Sequence, residues 1–456
     1  MLLMIGFSES LQSQNLYFPP LTGNNWETIS PDSLGWCTDK IDSLYDFLDQ
    51  KNSKAFIILK DGKIVIEHYF DSFTQDSIWY WASAGKTLTA FLTGIAQEEG
   101  YLSLSDSTSK YLGSGWTSCP PEKEKIITIR NQLTMTSGLK DFVADPYCTD
   151  PQCLIYQADA GTRWAYHNAP YTLLDQVITN ATGQNFNLYF NNKIRSRTGM
   201  NGIWLPSGYN NVYFSNARSM ARYGLLIQNK GIWASDTLLH DVGYINAMVN
   251  TSQNINKSYG YLWWLGGKES YMLPQTQFVF PGTWAPNAPS DMIAGLGKNG
   301  QILNIVPSME LVMLRMGDAP DSSLEVAPYF NNEIWQKLNQ VICSTVSTNE
   351  NIPTPVSFKL YQNYPNPFNP TTIISFAIPI VTLSASSRAE SKDEGSRVQL
   401  KVYDVLGNEV ATLVDEYKPA GMYNVQFTIH NLASGIYFYQ LKTENFVQIK
   451  KMILLR

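Results

Sequence analysis

Trp81-Ala-Ser-Ala-Gly-Lys-Thr-Leu-Thr-Ala-Phe-Leu-Thr-Gly-Ile-Ala96 decides how the rest of the chain is read. Leu88, Phe91, Leu92, Ile95 and Ala96 recur at helical spacing, which predicts a buried helix with Ser83 at its first turn. Residues i and i+3 share a helix face, so the Lys86 amine falls beside the Ser83 hydroxyl. A serine hydroxyl is a poor nucleophile until a neighbour removes its proton. An amine in a semi-buried site has a lowered pKa and can be that neighbour. A helix N-terminus also favours the negative charge that develops after attack. Ser-x-x-Lys alone occurs by chance in many proteins, so the surrounding chain has to carry the assignment.

With 456 residues the chain exceeds one ordinary domain and has room for a large core plus an appendage. A formal net charge of -6 argues against nucleic acid as a partner. No apolar run reaches the roughly 18 residues of a transmembrane helix. Residues 1–14, Met-Leu-Leu-Met-Ile-Gly-Phe followed by a polar run, read as the back half of a secretory signal or as a short frayed terminus. Of the five cysteines, Cys148 and Cys153 bracket Thr-Asp-Pro-Gln, and Cys37 and Cys343 sit near the two ends of the candidate catalytic region. In an oxidising compartment both pairs are candidate disulfides, with Cys119 odd. Unpaired buried thiols are the other reading. No Cys/His cluster reads as a metal site, and nothing calls for a cofactor.

Residues 36–50 carry a helical pattern, and Ala55 to Tyr69 is a strand, an Asp61-Gly62 turn and a second strand. Helices are expected over 127–139, 170–182, 186–194 and 323–343, and strands at 278–280 and within 291–316. That order predicts an α+β unit whose antiparallel sheet is assembled from both ends of the segment, with a helical subdomain between. Residues 346–357 read as a linker. Beyond them short strands and turns predict a small all-β sandwich, with a Ser- and charge-rich insertion at 381–397.

Two further stretches complete a site. Arg163-Trp-Ala-Tyr166-His-Asn168-Ala-Pro-Tyr171 places a phenol and an amide one residue apart ahead of a helix. Ile293-Ala-Gly295-Leu296-Gly-Lys298-Asn-Gly300 runs from a strand into a turn. Together with Ser83-Ala-Gly-Lys86 these resemble the serine β-lactamase and penicillin-binding-protein fold, in its class C and family VIII carboxylesterase-like branch, over about residues 33–345. Leu133-Thr-Met-Thr-Ser-Gly-Leu139 and Thr198-Gly-Met200 match flanking pieces of that family. The resemblance implies Ser83 as nucleophile, Lys86 as its proton partner, Tyr166 as base and leaving-group acid, and Asn168 as a substrate contact. It also implies an oxyanion hole from the backbone N–H groups of Ser83 and Leu296, with Gly295 beside the substrate.

The third motif departs from the family pattern. Ile293-Ala294-Gly295 stands where lactamases carry Lys-Thr-Gly, so the cation and hydroxyl that hold a β-lactam carboxylate are missing. That favours an esterase or amidase over a strong β-lactamase. Alternatives are an acyl-binding protein without turnover and a D-aminopeptidase or cell-wall peptide hydrolase. For Tyr166 to serve as base, the neighbouring ammonium is expected to lower its pKa. Tyr80, Trp81 and Trp264 are expected to line the substrate pocket, whereas His167 should point away from the face of Tyr166 and Asn168.

The end of the chain resembles the C-terminal sorting domain of the type IX secretion system over about 358–456. The matching pieces are Tyr364-Pro-Asn-Pro-Phe-Asn-Pro370, Val402-Tyr-Asp-Val-Leu-Gly407, Ala433-Ser-Gly-Ile-Tyr437 and Lys450-Lys-Met-Ile453. This implies the secretion machinery as a partner and export to the cell surface or outside.

Overall fold

The computed structural model describes residues 16–320, 327–343, 357–363, 366–379, 395–429 and 432–455. The expected leader at 1–14, nearly all of the linker at 346–357 and most of the insertion at 381–397 lie outside the described residues.

The chain divides into two compact units. The first is built on an antiparallel six-stranded sheet. Its order is Lys63–Tyr69, Ser53–Lys60, Leu311–Gly317, Gln301–Val306, Ile293–Gly297 and Trp264–Leu265. The first two strands form the hairpin that Asp61-Gly62 predicts. Both turn residues have positive φ, 52° and 81°, as the favoured two-residue hairpin turn requires. Strands from the two ends of the segment then meet, with Ser53–Lys60 pairing Leu311–Gly317.

Helices cover both faces of this sheet. Ala217–Gln228 lies so close that a Cβ on Gly224 would stand 2.5 Å from Val312 Cγ1. Arg315, three residues on and therefore on the opposite face, lies under Phe330 of the helix Ala327–Ile342. The Lys86–Glu98 helix is buried from Lys86 to Ala96 and is wrapped by short helices and loops.

Several elements differ from expectation. The helix expected over 127–139 is only Ile129–Leu133. Thr128 and Asn131 form a capping box at its start, and Met135 at φ 57° turns the chain out after its end. The strand expected at 278–280 is reduced to Phe280–Pro281. A hairpin of Ile203–Ser207 and Asn210–Ser215, paired to Trp79–Tyr80, has no counterpart in the sequence reading. Its exposed edge strand lacks the alternation that marks a half-buried strand.

Cys37 is bridged to Cys343 and Cys148 to Cys153, leaving Cys119 as a buried thiol. The bridged residues are 306 and 5 positions apart. Chain entropy removed from the unfolded state grows with the logarithm of the loop, to about 6 kcal/mol for the long bridge and about 2 kcal/mol for the short one. Cys343→Ser should therefore cost the first unit clearly more stability than Cys153→Ser. All 12 tryptophans lie between Trp26 and Trp335, so tryptophan fluorescence in a urea titration reads this unit alone. Equal losses for the two variants would contradict the loop-length argument.

The second unit is all β. A three-stranded sheet (Lys359–Leu360, Thr371–Ile378, Gly421–Thr428) and a four-stranded sheet (Glu409–Pro419, Gly395–Tyr403, Gly435–Lys442, Val447–Leu454) are both antiparallel. Alternate residues of the two sheets, among them Ile374, Phe376, Val398, Leu400, Tyr439 and Met452, form one buried cluster. The protein is an α+β catalytic-type fold followed by a small β-sandwich.

Candidate active site

Ser83 sits on a tight turn, Ala82–Gly85, that runs directly into the Lys86–Glu98 helix. Ala82, just before it, has φ 46°, a left-handed conformation that a residue with a Cβ adopts only under strain. The turn brings the i and i+3 side chains together: Lys86 Nζ is 2.7 Å from Ser83 Oγ. Lys86 is 4% exposed and faces the rings of Tyr171, 4.4 Å away, and Tyr166, 5.2 Å away. Its burial holds the amine at about 7 instead of 10.5. At neutral pH a large share of it is therefore uncharged and able to accept the serine proton.

Tyr166 lies beside the same side chain, its phenol interacting with Ser83. Its position is set by backbone contacts. Ala165 N donates to Met135 O at 2.9 Å, and Gly161 N to Thr136 O at 2.8 Å. Gly138 permits this close approach, since a Cβ there would lie 2.2 Å from Ala158 O. The Leu133–Leu139 segment thus serves as the clamp for the tyrosine. Trp264 stacks on Tyr166 with ring centroids 6.0 Å apart.

The acidity of Tyr166 corrects the sequence expectation. Burial pushes the phenol well above its ordinary value, and the neighbouring Ser83 offsets this only in part. The amine sits over its ring and is itself poorly able to hold a charge, so it does not draw the phenol down. Tyr166 is therefore a neutral phenol here, and the amine of Lys86 is the group with the lowered proton affinity.

The strand Ile293–Gly297 closes the site. Ile293 and Ala294 are 7% and 0% exposed. On its outer side the strand pairs with Trp264–Leu265 only over Ile293 and Ala294. Gly295–Gly297 then runs against the Ser83 turn. A Cβ on Gly297 would stand 2.5 Å from Trp81 O and 3.1 Å from Ala84 N, and one on Gly295 3.5 Å from Ala84 O. Leu296, between these two glycines, is therefore carried beside the turn that holds the Ser83 N–H. Asn168 opens the short helix Asn168–Thr172 and is half-buried.

The pocket aromatics divide. Trp81 is 0% exposed, and its indole donates to Ser215 Oγ at 2.7 Å. The expectation that it lines the substrate pocket is overturned, because the left-handed Ala82 turns the chain and sends the preceding ring into the core. Trp264 is 4% exposed and backs Tyr166 instead of facing open space. Tyr80 is half-buried, and its hydroxyl accepts from Asn299 Nδ2 at 2.7 Å. His167 is 1% exposed, with no hydrogen-bond partner for either ring nitrogen among the described residues. Burial lowers it to about 4, which keeps it neutral at pH 7. Two contributors escaped the sequence reading: Tyr171, under the Lys86 amine, and Asn299, on Tyr80. Neither has a local signal, since each meets its partner only through the tertiary fold.

The sequence profile of the Beta-lactamase family matches residues 47–313, and that of the secretion system C-terminal sorting domain matches 362–455. A provisionally named penicillin-binding protein of Bacillus subtilis, PbpX, is 24% identical over 324 residues, 63% of this chain and 75% of that protein. Two solved structures share the fold. One, from Bacteroides dorei, is provisionally described as a β-lactamase. It has TM-score 0.53 and 16% identity, and covers 67% of this chain and 99% of its own. The other, from Bacillus anthracis, is provisionally described as a 6-aminohexanoate-dimer hydrolase. It has TM-score 0.53 and 18% identity, and covers 72% and 91%. The sorting domain marks the protein for type IX secretion, to the cell surface or outside. With a profile match over more than half its length and the fold to go with it, the chain belongs to the Beta-lactamase family of serine hydrolases and penicillin-binding proteins.

Proposed function

We propose that the protein cleaves a carboxylic ester or a linear amide through a Ser83 acyl-enzyme, with weak or no β-lactamase activity. The observation that carries this reading is the third-motif strand. The two positions where lactamases hold a cation and a hydroxyl are Ile293 and Ala294, both apolar and buried. A substrate therefore finds the nucleophile, the amine and the phenol, but no charged anchor from this strand for a carboxylate. The same absence counts against a peptidase that grips a free C-terminus.

In acylation the Lys86 amine takes the Ser83 proton as Oγ attacks the carbonyl carbon. The N–H groups of Ser83 and Leu296 receive the oxyanion. As the tetrahedral intermediate collapses, Tyr166 gives its proton to the departing oxygen or nitrogen and is reprotonated from Lys86. In deacylation water gives a proton back along the same path as it adds to the acyl carbon. Ser83 Oγ then leaves as the hydroxyl, and the free acid departs.

The test is turnover of a short-chain p-nitrophenyl ester and of a chromogenic cephalosporin by the secreted protein, with Ser83→Ala as the blank. Ester kcat/KM should exceed cephalosporin kcat/KM by about 100-fold or more, the scale of a lost charged anchor. Fast cephalosporin cleavage would overturn the esterase or amidase reading. A single stoichiometric burst on both substrates would make the protein an acyl-binding relative without turnover.

A further inference from the structure

We propose that Asn299 is the positioning residue of the oxyanion site: through the Tyr80 hydroxyl it locks the turn after the Ile293–Gly297 strand to the segment carrying Ser83. This rests on the hydrolase reading above and assigns a role to a residue that lies outside the three motifs.

The need for a lock follows from the sheet. On its outer edge, Gly295–Gly297 has lost the neighbouring strand, whose pairing stops at Ala294. The inner edge pairs with Gln301–Val306, and the last pair is Gly297 with Gln301. The angle at which this stretch meets the nucleophile turn is thus decided by the three-residue turn Lys298–Gly300. A displacement of about 1 Å at such a site costs of the order of 100-fold in rate.

The turn is held from two sides. On the nucleophile side Asn299 Nδ2 donates to Tyr80 Oη at 2.7 Å, three residues ahead of Ser83. Asn299 has φ 62°, a conformation that asparagine tolerates better than most residues, so one side chain serves both the turn and the link. On the core side Arg315 is 0% exposed and spends its guanidinium on oxygens of the turn and its surroundings. Nη1 donates to Asn299 O at 2.7 Å and to Gly300 O at 3.2 Å. Nη2 donates to Lys51 O at 2.7 Å and Asp318 O at 3.0 Å, and Nε to Ser53 Oγ at 3.0 Å. Every one of these acceptors is a carbonyl or a hydroxyl. Burying a cation with no carboxylate hydrogen-bonded to it is costly, and here it fixes two carbonyls of one turn. Gly297, pressed on Trp81 O, supplies the steric stop. In a strand with no polar side chain at 293 or 294, this arrangement registers the Leu296 N–H against Ser83.

Arg315 is too central to the core for a clean variant, so the test uses Asn299→Gly and Tyr80→Phe in the full chain. Glycine keeps the positive φ and removes the amide; phenylalanine keeps the ring and removes the acceptor. Each should lower kcat for the p-nitrophenyl ester by about 10-fold with KM within about twofold, as expected for a donor misaligned but not deleted. The inhibition constant of phenylboronic acid, which forms a tetrahedral adduct on serine, should rise by a similar factor. The double variant should be no worse than the poorer single one, because both cut the same link. Unchanged kcat and boronate affinity, a KM rise that accounts for the loss, or multiplicative losses in the double variant would overturn the proposal. If the wild-type protein turns over neither the ester nor a linear anilide amide, the hydrolase reading fails separately. The lock is then read from the rate at which a fluorophosphonate labels Ser83, which needs the oxyanion site but no turnover. Equal labelling rates in wild type and both variants would sink it.

Discussion

Ser83→Ala is expected to reduce kcat/KM toward a short-chain p-nitrophenyl ester by about 10,000-fold or more, leaving only the background of a binding cleft. The substitution removes one oxygen, and that oxygen is the meeting point of the site. Lys86 Nζ stands 2.7 Å from it, and the Tyr166 phenol lies beside it. Without it the amine has no proton to take and the carbonyl carbon has no partner. Ser83 is half-buried on a surface turn, so the folded state should lose little. Tryptophan fluorescence through a thermal ramp should give a midpoint close to wild type. Activity that survives in Ser83→Ala, with folding intact, would mean that the chemistry lies elsewhere.

Lys86→Met should be nearly as severe, about 1,000-fold in kcat/KM, because the serine then has only a neutral phenol beside it. Two further signatures separate loss of a base from general damage. The first is pH dependence. With its amine at about 7, the wild-type enzyme should lose kcat/KM tenfold per pH unit below that value as Lys86 takes a proton. The residual activity of Lys86→Met should lack this limb. The second is stability. The folded state disfavours the charged amine, so between about 7 and the ordinary lysine value of 10.5 the unfolded chain binds more protons than the folded one. Stability of the wild type should therefore rise with pH across that window. Methionine carries no such penalty, so its stabilising effect should be greatest below pH 7 and fade as pH approaches 10.5. A limb near pH 7 that persists in Lys86→Met would assign it to another group.

How legible each part was depends on how local its cause is. The Ser83 and Lys86 side chains meet because they are one helical turn apart, which spacing alone predicts. The Asp61-Gly62 hairpin follows from the positive φ that two-residue turns demand. The β-sandwich of the second unit follows from short alternating strands between turns, and its sorting motifs lie in contiguous stretches. The Ile203–Ser215 hairpin went unread because its edge strand is largely exposed and so carries no buried-face alternation. Trp81 was misread for a different reason. An aromatic next to a nucleophile looks like a pocket wall, and only the left-handed Ala82 turns it inward.

Sequence by itself determined the residue types, their order and the local turns that carry them: a serine and an amine on one helix face, a phenol one residue from an amide, and a strand without its cation. The tertiary structure decided what those groups are able to do. It placed the Tyr166 phenol beside Ser83 across 83 positions of chain, with Ala165 clamped to Met135. It pressed Gly297 onto the nucleophile turn. It also set the proton affinities, lowering Lys86 and raising Tyr166, because desolvation depends on everything that packs around a charge and not on the neighbours along the chain.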